Sequence, residues 1–141
     1  MNREQIYSAL FAKLQAVDGF VTVSRRLRHW DDVPQAEQPA LFQAQKRESV
    51  STEPGLNPVW LLSLDLYIYA RTGEDRDESP ASAINPLVDA VLATLAPDPI
   101  TNKQTLGGLV QHAWVEGAIE TDEGVLGEQG VAIIPIIIKV A

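Results

Sequence analysis

The sequence predicts a two-layer α+β domain: a mainly antiparallel or mixed sheet of about five strands, with two helices packed on one face. Three observations predict it. The stretch "VWLLSLDLYIYAR" at 59–71 alternates with a period of two, as a strand with one buried face does. The stretch "NPLVDAVLATLAP" at 85–97 instead repeats its apolar residues at helical spacing. The order along the chain is helix, three strands, helix, two strands, and 141 residues suit one domain over 1–141.

Residues 3–17 form the first helix, because Ile6, Leu10, Leu14 and Val17 share a stripe with Tyr7 and Phe11 beside it. "DG" at 18–19 stops it. "FVTVSRRLR" at 20–28 alternates as a strand, with Val21, Val23 and Leu27 on one side and Thr22, Ser24, Arg26 and Arg28 on the other. Arg25 turns to the apolar side. "DDVPQAEQP" is a loop by its prolines, "ALFQAQKRES" resumes as a strand, and "EPGLNP" is a second loop.

In the strongest strand, Trp60, Leu62, Leu64, Leu66 and Ile68 make an unbroken apolar face, while Ser63, Asp65, Tyr67 and Tyr69 make a mixed one. "TGEDRDESPAS" is a charged, exposed loop. In the second helix Asn85 is the N-cap and Pro86 the first helical residue. Leu87, Val88, Val91, Leu92 and Leu95 form its buried stripe, and Pro97 ends it. Two strands, about 110–121 and 129–140, flank "TDEGVLGEQG" and pair as a hairpin.

Composition excludes several function classes. There are no cysteines, hence no disulfide, thiolate nucleophile or zinc–thiolate site, which fits a reducing compartment. Nineteen acidic residues against eleven basic ones leave a net charge of −8, which argues against free nucleic-acid binding. The start "MNREQIYSALF" does not read as a signal peptide. The run "VAIIPIIIKVA" is too short to cross a bilayer and is interrupted by Pro135.

Candidate chemistry is sparse. His112 shares a strand with Glu116 and Glu120, which permits a metal site or an acid–base pair in a small hydrolase. The simpler reading is a solvated polar strand face. "GEDRDE" at 73–78 resembles a calcium loop only loosely, since its glycine and final glutamate are misplaced. "LGGLV" at 106–110 lacks the lysine of a phosphate loop and serves a tight turn. No serine sits in a nucleophile elbow, so no catalytic residue, cofactor or metal is assigned.

The apolar surplus says more. On the last strand Ile133 and Ile137 face one way, while Ile134, Ile136 and Ile138 face the other. Two helices cover one of these faces. The opposite one, which carries Tyr67 and Tyr69, needs a partner subunit or covering loops.

Four stretches then carry a resemblance: "FVTVSRRLRHWDDVPQAEQPALF", "LDLYIYARTGED", "INPLVDAVLATLAPDP" and "TLGGLVQHAWVEGAIETDEGVLGEQGVAIIPIIIKV". Together they resemble tail terminator proteins of long-tailed bacteriophages, in kind the phage minor tail protein U group. The resemblance spans nearly the whole chain and rests on element order and texture, not on a catalytic motif. It implies a non-enzymatic virion protein, assembled in the host cytoplasm and placed at the head-proximal end of the tail. Six copies would form a ring that caps the tail tube, ends its polymerisation and presents a surface for head–tail joining. Its partners would be its own copies, the major tail tube protein and the head–tail connector. DNA would pass through the lumen without specific binding, and no membrane is involved. A neck or head-completion protein is the alternative within the same assembly.

The basic patch at 25–29 falls into place in such an assembly. Arg26 and Arg28 face outward and are expected to meet carboxylates of a neighbouring subunit or of the tube. His29 belongs to the same patch, Trp30 supplies the interface anchor, and Asp31 and Asp32 complement a neighbour's arginines. Arg25 forms a structural ion pair, with Asp65 as the expected partner.

Overall fold

A computed structural model describes residues 1–72, 79–124 and 127–141. The charged stretch 73–78, expected to be an exposed loop, lies outside the described residues. The first helix, α1 (Arg3–Gln15), starts where the Asn2 side chain accepts a hydrogen bond from the Gln5 backbone N–H at 3.1 Å. Its buried stripe is Ile6, Tyr7, Leu10 and Leu14, as the spacing predicts.

The sheet has six strands in the order β1-β2-β3-β6-β4, with β5 also paired to β6. They are β1 (Thr22–Ser24), β2 (Ala40–Ser51), β3 (Val59–Arg71), β4 (His112–Val115), β5 (Glu120–Gly124) and β6 (Gly127–Val140). β1 runs parallel to β2 and every other pairing is antiparallel, so the sheet is mixed. The second helix, α2 (Pro80–Thr94), packs with α1 on one face. Leu62, Leu64, Leu66 and Ile68 of β3 and Ile134, Ile136 and Ile138 of β6 are buried beneath the two helices. The α+β architecture with both helices on one face is therefore the observed one.

Three local expectations need correcting. The strand expected over 20–28 keeps only three residues. Val21 and Thr22 anchor it by donating to the Pro39 carbonyl at 2.8 and 3.3 Å. The ladder ends where Arg25 is drawn to Glu4 of α1; Val21 before it and Leu27 beyond it are 63% and 42% exposed instead of sharing a covered face with Val23. The second helix begins six residues before Asn85, at an N-cap on Ser79, whose side chain accepts from Ser82 N–H at 3.2 Å. Pro80 takes the first position and Pro86 lies inside the helix. The earlier start lets Ile84 and Pro80 settle on Gly130 of β6, where a Cβ would lie 2.8 Å from the Ile84 Cδ1.

The strand expected over 110–121 is split. Val115 faces Ile136 and Glu120 faces Ile133, so 116–119 bulge out against Ile134 and Pro135. Gly117, at φ 108, makes the bend. Both pieces still pair antiparallel with β6, and β5 with β6 is the expected hairpin. β2 carries its own irregularity between Gln45 and Arg47, which reverses which of its residues face the helices. Among the described residues no helix is long and apolar enough to cross a membrane.

Candidate functional site

The face of the sheet away from the helices carries a second, smaller cluster. Register sets its members: Tyr67 and Tyr69 of β3 lie opposite Ile133 and Val131 of β6 and opposite Phe42 and Ala40 of β2. Phe42 and Tyr69 pack at 5.4 Å between ring centres. Val33 closes over them, fully buried, with Trp30 beside it.

Val33 reaches this position because the chain from Arg28 to Pro39 crosses the sheet. Two short 3-10 turns, Trp30–Asp32 and Gln35–Glu37, shape the crossing. His29 opens the first by accepting the Asp31 N–H on Nδ1 at 3.1 Å. Buried amides pin the second. The Gln38 Nε2 donates to the Val33 carbonyl at 2.8 Å and to Gln129 Oε1 at 2.9 Å. Gln129 in turn donates to the carbonyls of Ala70 and Gly130 at 3.2 and 2.7 Å. The donors of both amides are thus engaged, while the buried Gln38 Oε1 has no hydrogen-bond partner among the described residues.

Between the crossing segment and the sheet lies an open groove of about 750 Å³. Leu27, Arg28, His29 and Trp30 form one wall, and Glu120, Thr121 and Asp122 of β5 form the other. Tyr67, Tyr69, Val131 and Ile133 form the floor. Arg28 donates to Glu37 at 3.0 Å and lies over the Phe42 ring at 5.7 Å. Tyr69 donates its phenol proton to the Arg28 carbonyl at 2.7 Å. Burial, aided by nearby Tyr67, pushes the Tyr69 phenol up to about 12, so Tyr69 keeps the proton it donates to Arg28 at neutral pH. On the facing wall the buried Asp122 Oδ1 has no hydrogen-bond partner among the described residues. Beyond the groove, Asp65, Pro135 and Ile137 stay half-buried, and Trp114 lies beside Ile137.

The structure thus gathers five of the residues expected at an interface, Arg28, His29, Trp30, Tyr67 and Tyr69, around one groove. Asp31 and Asp32 are exposed on the first turn, next to Trp30. Arg26 is exposed and lies outside the groove lining; its backbone N–H donates to Ser24 Oγ at 3.0 Å. Trp30 is only partly buried within the chain. The expected Arg25–Asp65 pair does not form. Arg25 turns to the helix side and bonds Glu4, with Gln45 Oε1 at 3.3 Å. Asp65 lies on the opposite face and meets Lys46 at 3.5 Å. The Glu4 carboxyl is held below its usual range by the Arg25 hydrogen bond first and the Ser8 hydroxyl second.

His112 does not join a reactive cluster. Its ring stacks on Trp114 at 5.0 Å with 14° between planes, and Nδ1 accepts the Gln104 N–H at 3.0 Å. His112 lies opposite Lys139 and Glu120 opposite Ile133, six residues apart on β6. At a strand rise of about 3.3 Å per residue this separates them by ~20 Å. Glu116 is exposed on the bulge. Among the described residues, no three acidic or histidine side chains cluster as metal ligands would.

Sequence reasoning missed the wall of Glu120, Thr121 and Asp122, and Val33. The hairpin carried the signal for the wall: a register that sets Glu120 against Ile133 puts it on the same face as Tyr67, with β6 between them. Val33 sits alone among prolines and polar residues, so no periodicity marks it. No protein-family model matches the chain, and no curated protein matches it.

Proposed function

We propose that the chain is a structural assembly subunit that joins copies of itself through the open sheet face, and that it acts as a phage tail terminator. In that role six copies form a ring that caps the tail tube, stops its growth and offers the head-joining surface. The observation that carries the reading is the open face itself. Tyr67, Ile133, Pro135 and Ile137 stay half-buried on a face of mixed polarity that the helices leave uncovered and that the 28–39 segment and the 116–119 bulge cover only in part. Surfaces of this kind mark protein interfaces. The resemblance described above supplies the specific role. A net charge of −8 suits a ring whose lumen passes DNA without holding it.

The test is the mass of the purified chain by light scattering across concentration, alone and with tail tubes, together with negative-stain images of tube ends. The expected result is a ring of six 15.4 kDa subunits, free or on the tube tip. A monomer or dimer under both conditions overturns the reading. A ring that binds the head connector and ignores the tube moves the protein one layer nearer the capsid.

A further inference from the structure

The turn Asp98–Lys103, between α2 and β4, holds Ile100 in water at 93% exposure, the highest of the large hydrophobic side chains among the described residues. The turn is firmly built. Asp98 Oδ1 accepts the N–H groups of Ile100 and Thr101 at 2.8 and 3.1 Å. The Asp98 backbone bonds Asn102 N–H at 2.7 Å and the Lys103 carbonyl at 2.9 Å. Pro97 and Pro99 stiffen the approach. A rigid apolar tip has little ordering entropy left to lose when it docks. Lys103 places a cation three residues beyond the tip.

The groove on the far face has the complementary needs. Its floor of Tyr67 and Ile133 is apolar, and one wall carries Glu120 and Asp122, the latter with its buried unpartnered oxygen. Its volume of about 750 Å³ falls within the range of about 300–1,000 Å³ that binds compact ligands. The turn borders Trp114 and Lys139, while the groove lies at Ile133 and Val131. Lys139 and Ile133 are six residues apart on β6, a distance of ~20 Å. One chain therefore cannot seat its own turn in its own groove.

We infer that the Asp98–Lys103 turn of one copy docks in the groove of a second copy, Ile100 against Tyr67 and Ile133, and Lys103 against Glu120 and Asp122. This rests on the self-assembly reading above and names the surfaces that would carry it.

The cysteine-free chain allows a direct test. Ile100→Cys and Ile133→Cys variants, mixed under mild oxidation, are expected to give a disulfide-linked pair that contains one of each. Ile100→Asp is expected to weaken self-association at least tenfold with unchanged circular dichroism, while Leu56→Asp, at another exposed position (66%), leaves it unchanged. Lys103→Glu is expected to weaken it too, and Glu120→Lys to restore it. If the wild type self-associates and Ile100→Asp matches it, the docking is overturned and the assembly reading stands. If the wild type stays monomeric free and on tubes, both fall. If Ile100→Asp still forms the ring but fails on tubes, the turn meets the tube and the self-docking is overturned.

Discussion

β3 and β6 present the same backbone ladder to two different surroundings. Toward the helices, Leu62, Leu64, Leu66, Ile134, Ile136 and Ile138 are buried. On the other side of the same residues' neighbours, Ser63, Asp65, Tyr67, Ile133, Pro135 and Ile137 are half-buried. Isoleucine appears on both sides of β6. Its fate is decided by what lies over it, not by residue type or strand position. One face is finished within the chain, and the other is a surface of mixed polarity that admits water and, on the reading above, a neighbour.

The sharpest way to break this comparison is to truncate adjacent isoleucines. Ile134→Ala is expected to cost about 2–5 kcal/mol, because a cavity opens under the helices. Ile137→Ala, half-open on the other face, is expected to cost under about 1 kcal/mol, because water fills the space. Urea denaturation of the two variants measures the gap. Equal costs would mean that the far face is as dry as the near one.

Alkaline pH probes both faces at once. Tyr7 sits on the helix side, where burial first and the charge of Glu48 second push its phenol up to about 12. Tyr69, on the far side, reaches about 12 as well. A folded pKa above the unfolded one makes the contribution complete below the unfolded value and lost as pH rises to the folded value. Stability is therefore expected to fall between about pH 10 and pH 12, by on the order of 2 kcal/mol per tyrosine. Tyr69→Phe should flatten part of this fall, while costing about 1–2 kcal/mol at neutral pH for the orphaned Arg28 carbonyl. Urea midpoints that hold level across this window would contradict the burial of both phenols.

The arginines of the basic patch give the smallest effects and separate structure from surface. Arg28→Glu loses the Glu37 bond and the Phe42 contact and brings two carboxylates together, so a loss of roughly 1 kcal/mol is expected. Arg26→Glu, exposed, should shift stability by less than about 0.5 kcal/mol. A cost for Arg26→Glu as large as that for Arg28→Glu would show that both arginines hold the fold.

Period-two patterning made β3 and β6 legible, including which isoleucines share a face, because alternation is a local property of a strand. The gathering of Arg28, Trp30, Tyr67 and Tyr69 was legible in part, since the tyrosines share the face opposite the leucines. What escaped depends on distant partners. Ser79–Pro80 and Asn85–Pro86 both offer a cap followed by proline, and the earlier one gains distant partners: Ile84 and Pro80 fit on Gly130, and the Ala81 N–H donates to the Glu123 carboxylate at 2.9 Å. Charge alone points to Asp65 as the partner of Arg25, yet strand pairing puts Asp65 on the opposite face from Glu4, which Arg25 meets. The break at 116–119 depends on the register against β6, which local patterning does not reveal.

The irregularities at Lys46 and Gly117 govern how copies of this chain can meet. Sheets usually extend sideways, by adding backbone to a free edge. Here β1 closes only the first three residues of β2, and beyond them the register shift and the cations of Lys46 and Arg47 spoil the edge as a template. On the other side the outer strands are short and broken at Gly117. Neither margin offers a long, flat row of amides and carbonyls. In the proposed assembly, copies would then recognise one another through side chains, whose fit and charge limit both the number and the angle of contacts. For a protein proposed to end a polymer, the geometry has a further merit: the stopper does not itself seed a fibre.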